Sequence, residues 1–414
     1  MANVIPFRAW RYHPDAGPLE NLLTQPYDKI TPPMQERYLS LDPCNLVRVI
    51  LGPRFPTDSE SDNVYTRAAR HFAEWIDRGA LRRDEEPAFY ACSQEFTDPD
   101  SGERILRRGF IGLGEVVDYA AGVVHRHERT LSGPKKDRLE LLRHTRVHFE
   151  QLFMLYPDPE GVVDRLLEEA SRPAAWTSVT DEYQAVHRVA AISDPRATAA
   201  IQREMAARKL VIADGHHRYE TALAFRQENP RLTGADRVMM TFVGMHSPGL
   251  RILATHRLVN GLAAGTISEL ARKASGRFRV ASVETPEALK SALARPDPAR
   301  VRIGLASAAG MRLIECDRAP GQLDVTTLHE ILLGEMLGIG EEAVREEEYL
   351  RYVRGIDAAL EAVGRGAAQI AFLLQPTSID QVAEVSFSGG VMPQKSTDFY
   401  PKLLSGLAIY RLEA

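Results

Sequence analysis

The stretch KLVIADGHHRYETA, residues 209–222, decides how the rest of this chain is interpreted. Its first residues form a short unbroken apolar run, which predicts a buried strand. Asp214 and Gly215 then indicate a sharp turn, because glycine adopts backbone conformations that other residues avoid. The residues that follow have the spacing of an amphipathic helix. The sequence therefore predicts a strand, a tight turn and a helix, with the polar segment DGHHR (214–218) at the junction.

This polar segment has the residue types of an anion-binding site. A helix N-terminus offers free backbone N–H groups and a partial positive charge, and both favour a phosphate. Arg218 can hold phosphate oxygens through two parallel hydrogen bonds, and His216 and His217 add further donors. A simpler interpretation is that Asp214 only caps the helix. Because a cap does not require His-His-Arg, we favour a phosphate site.

The composition is that of an ordinary soluble globular protein. The chain has 414 residues, of which 44% are hydrophobic and 26% are charged, and its length allows two or three domains. A net charge of −5 gives no reason to expect nucleic-acid binding. The three cysteines form no CxxC pair, and no apolar run is long enough to cross a membrane. With an N-terminus unlike a signal peptide, the sequence predicts a cytoplasmic protein that binds neither nucleic acid nor membranes, and it leaves homo-oligomer formation open.

Apolar patterns predict several other elements. Residues 65–78 have the spacing of an amphipathic helix. A hairpin is predicted from two strands at 87–96 and 105–117. Short apolar runs predict further strands at 45–51, 151–156, 236–245 and 250–259. Helix and strand patterns alternate again over 266–375, so we expect a second region of α and β structure there.

Two other segments combine cations with carboxylate or hydroxyl groups. The first, residues 125–138, holds Glu128 beside several basic residues. These basic residues include Arg129, Lys135, Lys136 and Arg138. The second, residues 392–403, holds Lys395 and Ser396 in an irregular segment. Charge runs are usually solvated surfaces, but loops carry function more often than regular elements do, and we expect both segments to contribute to phosphate binding.

Four segments resemble the signature blocks of a prokaryotic family of unknown function. They are HERTLSGPKKDRLELL at 127–142, IADGHHRYETAL at 212–223, LATHRLV at 253–259 and MPQKSTDFYPKLLSGL at 392–407. The resemblance extends over essentially the whole chain and keeps the order of the blocks. The family description by itself implies no activity.

The segment at 214–218 also resembles a motif of the ParB/sulfiredoxin-like superfamily, which includes free-serine kinases. Sulfiredoxin has a GGCHR turn, and ParB a GERR box, at the corresponding strand-to-helix junction. The resemblance implies an α+β fold in which residues 1–262 form a ParB/sulfiredoxin-like mixed-sheet core. A second α/β region would occupy 263–414, and its end at 391–405 would return to the site.

The resemblance also implies roles for the motif residues. Gly215, His217 and Arg218 would hold phosphate oxygens. Asp214 would be a catalytic carboxylate or a Mg²⁺ ligand, and His216 would contact phosphate or the transferring group. Position 216 holds histidine instead of the reactive cysteine of sulfiredoxin, which argues against sulfinic-acid repair. The lack of a basic balance and of a recognisable helix-turn-helix argues against DNA partition.

The remaining function is phosphoryl transfer to a small hydroxyl acceptor, for which the resemblance implies free L-serine. The donor would be pyrophosphate, ADP or ATP. The sequence has no P-loop or kinase glycine loop to recognise a nucleotide, and its many cations slightly favour pyrophosphate. Glu128 or Asp214 would accept the proton of the hydroxyl group. The candidate substrate-binding residues are Tyr27, Asp28, Thr255 and His256.

Two other functions stay open. His216 and Glu220 lie four residues apart on the predicted helix, as a zinc-binding pair of a metal-dependent hydrolase would. That pair is a weaker signal than an HExxH motif. The other alternative is a non-catalytic nucleotide-binding regulator, by analogy with ParB relatives. In each interpretation residues 214–218 form the centre of the site.

Overall fold

A computed structural model describes residues 2–128, 133–172, 174–263, 265–295 and 297–413. This part of the chain divides into two compact units. Unit 1 comprises Met1–Arg126, Thr130–Leu250 and Pro401–Ala414, and unit 2 comprises His127–Arg129 and Arg251–Tyr400. The sequence-based boundary between 262 and 263 stays a prediction.

Strands and helices are numbered here in chain order. The strands are β1 (Val4–Ile5), β2 (Trp10–Tyr12), β3 (Leu81–Arg83), β4 (Phe89–Thr97), β5 (Arg104–Glu115), β6 (Val124–His125), β7 (Val147–His148), β8 (Leu152–Tyr156), β9 (Thr177–Thr180), β10 (Val186–Ile192), β11 (Leu210–Asp214), β12 (Arg237–Gly244), β13 (Arg251–Leu253), β14 (Thr255–Val259), β15 (Arg279–Val283), β16 (Arg300–Ser307), β17 (Gly310–Asp317), β18 (Leu350–Arg354), β19 (Ile370–Leu373), β20 (Asp398–Tyr400) and β21 (Tyr410–Arg411). The α-helices are α1 (Leu19–Leu22), α2 (Pro32–Leu41), α3 (Val47–Ile50), α4 (Val64–Asp77), α5 (Gly133–Thr145), α6 (Val162–Ser171), α7 (Pro195–Ala206), α8 (His216–Glu228), α9 (Thr266–Ser275), α10 (Pro286–Ala294), α11 (Asp324–Thr327), α12 (Glu341–Arg345), α13 (Ile356–Gly364) and α14 (Ile379–Phe387). Short 3₁₀ helices cover Pro14–Ala16, Tyr27–Lys29 and Tyr119–Ala121, and a π-helix covers Leu328–Met336.

Unit 1 is built on a large mixed sheet with the strand order β6-β11-β8-β12-β5-β4-β10-β9, and β1 pairs with β5 at its side. Strands β6 and β11 are parallel, as are β8 and β12. The other neighbours in the sheet are antiparallel. The α+β class and the mixed sheet predicted from the sequence are therefore confirmed.

The two faces of this sheet are buried under different helices. Alternate residues of a strand point to opposite faces, so Tyr90 and Ile111 lie on one face while Phe89 and Phe110 lie on the other. The first face packs against apolar residues of α4 and α5. The second packs against α6 and α7. Because β8 and β12 are buried along nearly their whole length, they are apolar nearly throughout, as strands covered on both sides are.

Several local predictions are confirmed. Helix α4 occupies the stretch predicted at 65–78, and Asn63 caps it by accepting hydrogen bonds from the N–H groups of Tyr65 and Thr66. Strands β4 and β5 form the predicted hairpin. The strands predicted at 151–156 and 236–245 are β8 and β12.

The predicted strand at 45–51 is wrong. This stretch contains helix α3, whose start is fixed by a hydrogen bond from Val47 N–H to the side-chain oxygen of Asn45. The predicted strand at 250–259 is divided between β13 and β14, which belong to different sheets. A short apolar run indicates burial, and burial alone does not distinguish a strand from a helical turn.

Unit 2 has a sheet with the order β15-β17-β16-β19-β14-β18 and a separate ladder between β13 and β20. The neighbouring strands in the larger sheet are antiparallel. Apolar residues of α10 and α13, among them Leu289 and Ala359, pack on this sheet. In the described ranges no helix combines the length and apolar character needed to cross a membrane.

Candidate functional site

The strand, turn and helix predicted for residues 209–222 are present as β11, Gly215 and α8. Gly215 has φ 94°, a left-handed conformation that favours glycine. A Cβ atom at this position would lie 2.9 Å from Leu152 Cδ2 and 3.0 Å from Arg218 Nε. Glycine therefore allows both the turn and the close approach of the Arg218 side chain.

Asp214 is the ionised centre of this turn. Its carboxylate lies 3.3 Å from the guanidinium of Arg218 and 3.8 Å from the ammonium of Lys402, and its side chain is 24% exposed. Burial alone would raise the pKa of Asp214, but Lys402, Arg218, Lys29 and His216 together hold that pKa well below its ordinary value. The group therefore stays negatively charged at neutral pH.

Arg218 is anchored on one side of its guanidinium. Its Nη1 donates to the Gln151 carbonyl over 2.6 Å, while Nη2 faces Asp214. Burial would lower the pKa of Arg218, yet the negative charges of Glu150, Asp214 and Asp28 raise it overall. The guanidinium thus remains charged in a half-buried position.

Tyr27 and Asp28 lie beside this arginine, in the 3₁₀ helix Tyr27–Lys29. The backbone N–H of Tyr27 donates to Glu150 over 3.0 Å. Burial raises the pKa of the Tyr27 hydroxyl to about 12, against the opposing effect of Arg138. Asp28 is exposed and acts electrostatically on Arg218. The structure thus places Tyr27 and Asp28, both predicted to bind substrate, near the motif.

The three basic residues predicted on α5 have different surroundings. Arg138 is buried, stacks over the Tyr27 ring at 4.1 Å and lies 3.7 Å from Glu150. Lys135 lies 3.6 Å from Glu220 on α8. Lys136 instead lines a hollow together with Arg54, Tyr65 and His144. Their predicted phosphate-binding roles stay predictions.

Of the remaining predicted site residues, His216 and His217 are the first two residues of helix α8 in unit 1. Arg129 lies outside the described residues, and the others belong to unit 2. The Oε1 atom of Glu128 accepts hydrogen bonds from both the N–H and the hydroxyl of Thr397, each at 2.9 Å. His127, which is fully buried, contacts the same hydroxyl at 2.7 Å. Ser396 donates its hydroxyl to the Pro393 carbonyl. Glu128 is therefore fixed to the segment that follows Lys395.

Arg257 organises the other unit 2 residues. This buried guanidinium donates to the carbonyl of Lys395 over 3.0 Å and to that of Thr255. Lys395 has φ 57°, an uncommon conformation for a residue other than glycine. The neighbouring His256 accepts a hydrogen bond from Leu374 N–H at Nδ1, and burial followed by Arg257 lowers its pKa to about 4. The predicted substrate roles of Thr255 and His256 stay predictions.

Lys402, Lys29 and Glu150 were not among the predicted site residues, although each acts on Asp214 or Arg218. Lys402 lies inside the predicted segment 392–403, and Lys29 directly follows the predicted substrate residue Asp28. Both cations could therefore have been named from the sequence.

The described residues include no group of three or more His, Cys, Asp or Glu side chains arranged to hold a metal ion. A zinc site needs at least three protein ligands, so His216 and Glu220 alone do not constitute the proposed hydrolase centre. A Mg²⁺ ion requires less of the protein, since one or two carboxylates with substrate phosphates suffice. Asp214, which is ionised and partly exposed, fits that requirement.

Comparisons with known proteins identify the family and only distant structural likenesses. No curated protein matches the sequence. A free serine kinase in complex with AMP is 12% identical with a TM-score of 0.38, over 69% of this chain and 89% of that one. A conserved hypothetical protein from Pyrococcus furiosus is 14% identical with a TM-score of 0.37, over 69% and 92% of the two chains. SbnI from Staphylococcus aureus, with a C-terminal truncation, is 11% identical with a TM-score of 0.35, over 72% and 87%.

Family membership is clear from the sequence itself. The profile described as "Protein of unknown function (DUF1015)" matches residues 4–327. This match spans all of the mixed sheet, the motif at 214–218 and part of unit 2. The chain therefore belongs to the DUF1015 family.

Proposed function

We propose that this protein is a phosphotransferase of ParB/sulfiredoxin-like fold. It moves a phosphoryl group from pyrophosphate, ADP or ATP to the hydroxyl of a small acceptor, for which free L-serine is the first candidate. The observation that carries this proposal is the ionised carboxylate of Asp214, held between Arg218 and Lys402 at the start of α8. Cations and backbone N–H groups at a helix N-terminus suit a phosphorylated donor.

The mixture of charges supports a free amino acid as the acceptor. Carboxylates of Asp28 and Glu150 act on the same guanidinium that faces Asp214. Such acids attract the ammonium group of an amino acid, while nearby cations such as Lys29 attract its carboxylate. The choice of L-serine comes from the resemblance of the DGHHR segment to that of free-serine kinases, and the structural likenesses are too distant to add to it.

The low pKa of Asp214 bears on its role. A general base works best when its pKa lies near the working pH. A carboxylate whose pKa is held well below the ordinary range binds a proton poorly, so Asp214 is better suited to hold a Mg²⁺ ion than to deprotonate the acceptor. Glu128 stays the predicted candidate for the base.

The proposed reaction forms one bond and breaks one. The acceptor hydroxyl oxygen attacks the terminal phosphorus of the donor, and the bond from that phosphorus to the bridging oxygen breaks. The hydroxyl proton passes to a carboxylate, and the leaving group is inorganic phosphate from pyrophosphate, AMP from ADP or ADP from ATP. Arg218 and Lys402 would stabilise the charge on the phosphoryl oxygens. A bound Mg²⁺ ion on Asp214 would neutralise donor charge.

The test is an assay of the purified full chain with Mg²⁺ and L-serine, offering pyrophosphate, ADP and ATP separately. Phosphoserine is measured by mass spectrometry and phosphorus NMR. We expect phosphoserine with at least one donor, and its loss in Asp214→Asn. Arg143→Ala is the matched control. Arg143 lies on α5 and forms an ion pair with Glu228 at the end of α8, so this variant should retain activity.

Each alternative function gives a different result in this assay. Donor consumption without phosphoserine would reject serine and direct the search to other hydroxyl acceptors. Nucleotide binding without turnover would favour the non-catalytic regulator. Tightly bound zinc at one equivalent per chain, with hydrolysis as the only activity, would favour the hydrolase.

A further inference from the structure

Three buried polar residues form a row across the sheet of unit 1. The strand register pairs Gln94 of β4 with His187 of β10 on one side and with Arg107 of β5 on the other. Paired residues point to the same face of a sheet. All three side chains are at most 5% exposed. Burying polar side chains this deeply destabilises the folded state unless their donors and acceptors are hydrogen-bonded.

Asp181 fixes one end of this row. The Oδ2 atom of Asp181 lies 3.0 Å from His187 Nε2. Its Oδ1 atom accepts from the N–H groups of Tyr183 and Ala185. Burial raises the pKa of Asp181, but the hydrogen bond from His187 and these backbone donors lower it overall. An ionised carboxylate can only accept hydrogen bonds, so His187 carries a proton on Nε2.

The histidine in turn orients the amide of Gln94. With its proton on Nε2, a neutral His187 presents Nδ1 as an acceptor, and Gln94 Nε2 lies 3.2 Å from it. The same amide nitrogen donates to the Lys402 carbonyl over 2.8 Å. The amide oxygen is left to accept from Arg107 Nε over 2.9 Å. Reversing the amide would place two acceptors against each other at both His187 and Lys402.

At the end of the row opposite Asp181, side chains of the row donate hydrogen bonds to the backbone at residues 401–402. Arg107 donates to the carbonyl of Pro401, next to the bond from Gln94 to the Lys402 carbonyl. Arg107 also stacks over the Phe153 ring at 4.7 Å, and Phe153 is the strand partner of Asp214. The row therefore ends where the Lys402 ammonium lies 3.8 Å from the Asp214 carboxylate.

We propose that Gln94, oriented by the His187–Asp181 pair, is a positioning residue that sets Lys402 against Asp214. It acts through the backbone at 401–402 and does not itself touch the donor. This inference rests on the proposed function only where it takes Lys402 to bind the phosphate of the donor. The geometry of the row is independent of which donor or acceptor the protein uses.

A double-mutant cycle on pyrophosphate binding tests the proposal. Dissociation constants are measured by calorimetry for the full chain, Lys402→Ala, Gln94→Leu and the double variant. We expect Lys402→Ala to weaken binding about tenfold, as loss of a charged contact does. Gln94→Leu should weaken it severalfold, and the double variant should bind no more weakly than Lys402→Ala alone, because contacts that act through one another are not additive.

The possible results distinguish failure of the positioning role of Gln94 from failure of the proposed phosphate site. If the two substitutions are additive, Gln94 does not act through Lys402 and the proposal is overturned. If Lys402→Ala leaves pyrophosphate binding unchanged, the phosphate site is wrong. In that case carbon-13 NMR is used to measure the pKa of the Asp214 carboxyl. This pKa should rise in both Lys402→Ala and Gln94→Leu. No rise in Gln94→Leu would overturn the proposal in that case.

A spectroscopic measurement covers the case in which Gln94→Leu does not fold. Nitrogen-15 NMR of histidine-labelled protein, with His187 assigned by substitution, should show the Nε2–H form.

His187→Gln can both donate to Asp181 and accept from Gln94, so it should retain most pyrophosphate binding, whereas His187→Leu should not. Gln202→Leu, which removes a side-chain hydrogen bond to the Val4 carbonyl, is the control. An Nδ1–H signal for His187, or equal binding by both His187 variants, would contradict the proposal.

Discussion

Lys402 Nζ lies 3.8 Å from Asp214 Oδ1, and the two side chains are 10% and 24% exposed. Lys402 belongs to the segment Pro401–Ala414, which follows the whole of Arg251–Tyr400 in the chain and yet is part of unit 1. Among the charges that lower the pKa of Asp214, the ammonium of Lys402 has the largest effect. The electrostatic state of the central motif therefore depends on a residue far from it in sequence.

Replacing Lys402 by methionine should raise the pKa of the Asp214 carboxyl. Because the folded-state pKa is depressed, Asp214 stabilises the fold fully above its unfolded pKa and loses that contribution as the pH falls through its folded value. In Lys402→Met this contribution should be smaller, and its loss should be complete at a higher pH. Carbon-13 NMR of labelled aspartate, with Asp214→Asn to assign the signal, measures the titration. An unchanged Asp214 titration would mean that the ion pair does not exist in solution.

Arg218 should be indispensable for binding the phosphorylated donor. We expect Arg218→Ala to lower kcat/KM at least about a hundredfold, because a guanidinium contributes two charge-assisted hydrogen bonds. Arg218→Lys keeps the charge without the planar fork and should lose less. Arg218→Ala also leaves the Gln151 carbonyl without its donor, so we expect the free energy of unfolding to fall by about 1–2 kcal/mol.

Steady-state kinetics and thermal unfolding of the Arg218 variants separate these two effects. Arg143→Ala again serves as the control, since that arginine lies on α5 and pairs with Glu228 and Glu140. A folded Arg218→Ala protein with full activity would show that the arginine has only a structural role.

Gly215→Ala should damage the turn more than an ordinary Gly-to-Ala change would. The left-handed backbone costs a residue with a Cβ about 1–2 kcal/mol, and the new atom would lie 2.9 Å from Leu152 Cδ2. We expect lower thermal stability together with weaker donor binding, because the Arg218 side chain must move. Gly310→Ala is a matched control, since Gly310 also has positive φ but no atom within 4 Å of its added Cβ. Equal effects on donor binding would show that crowding at Gly215 is irrelevant.

Local sequence patterns predicted the helices and strands around the site. They did not predict the contacts that shift the pKa values of Asp214 and Arg218. The apolar run before Asp214 and the glycine after it were enough to predict β11, the turn and α8, because each depends on neighbours in the chain. The helical turn of α3 was mistaken for a strand because both are buried apolar runs. The pairing of Lys402 with Asp214 depends on how distant segments fold together, and no spacing rule records it.

The row of Gln94, His187 and Arg107 illustrates the same limit. A polar residue inside a predicted strand gives no indication of whether it faces water or a buried partner. Only the strand register shows that the three residues share a face. Conversely, His256 was a predicted substrate residue and lies in the block LATHRLV at 253–259. In the structure it is buried and bonded to the backbone at Leu374.

The buried state of His256 leads to a prediction about acid stability. Its pKa in the folded protein is about 4, whereas an exposed histidine titrates near about 6.5. Between these values the unfolded chain binds a proton that the folded one does not. Stability should therefore decrease as the pH falls through this window, by up to about 1.4 kcal/mol per pH unit.

His256→Asn keeps an acceptor for Leu374 N–H and removes the titrating group, so it should reduce this loss of stability. Hydrogen exchange of peptides covering β19, corrected for the intrinsic pH dependence of exchange, measures the effect within unit 2. Part of the loss should persist, because burial and Arg257 lower the pKa of His329 to about 3 in the same unit. Replacing the exposed His144 is the control. If β19 in His256→Asn lost protection with acid as steeply as in the unmodified protein, His256 would not be a neutral core histidine.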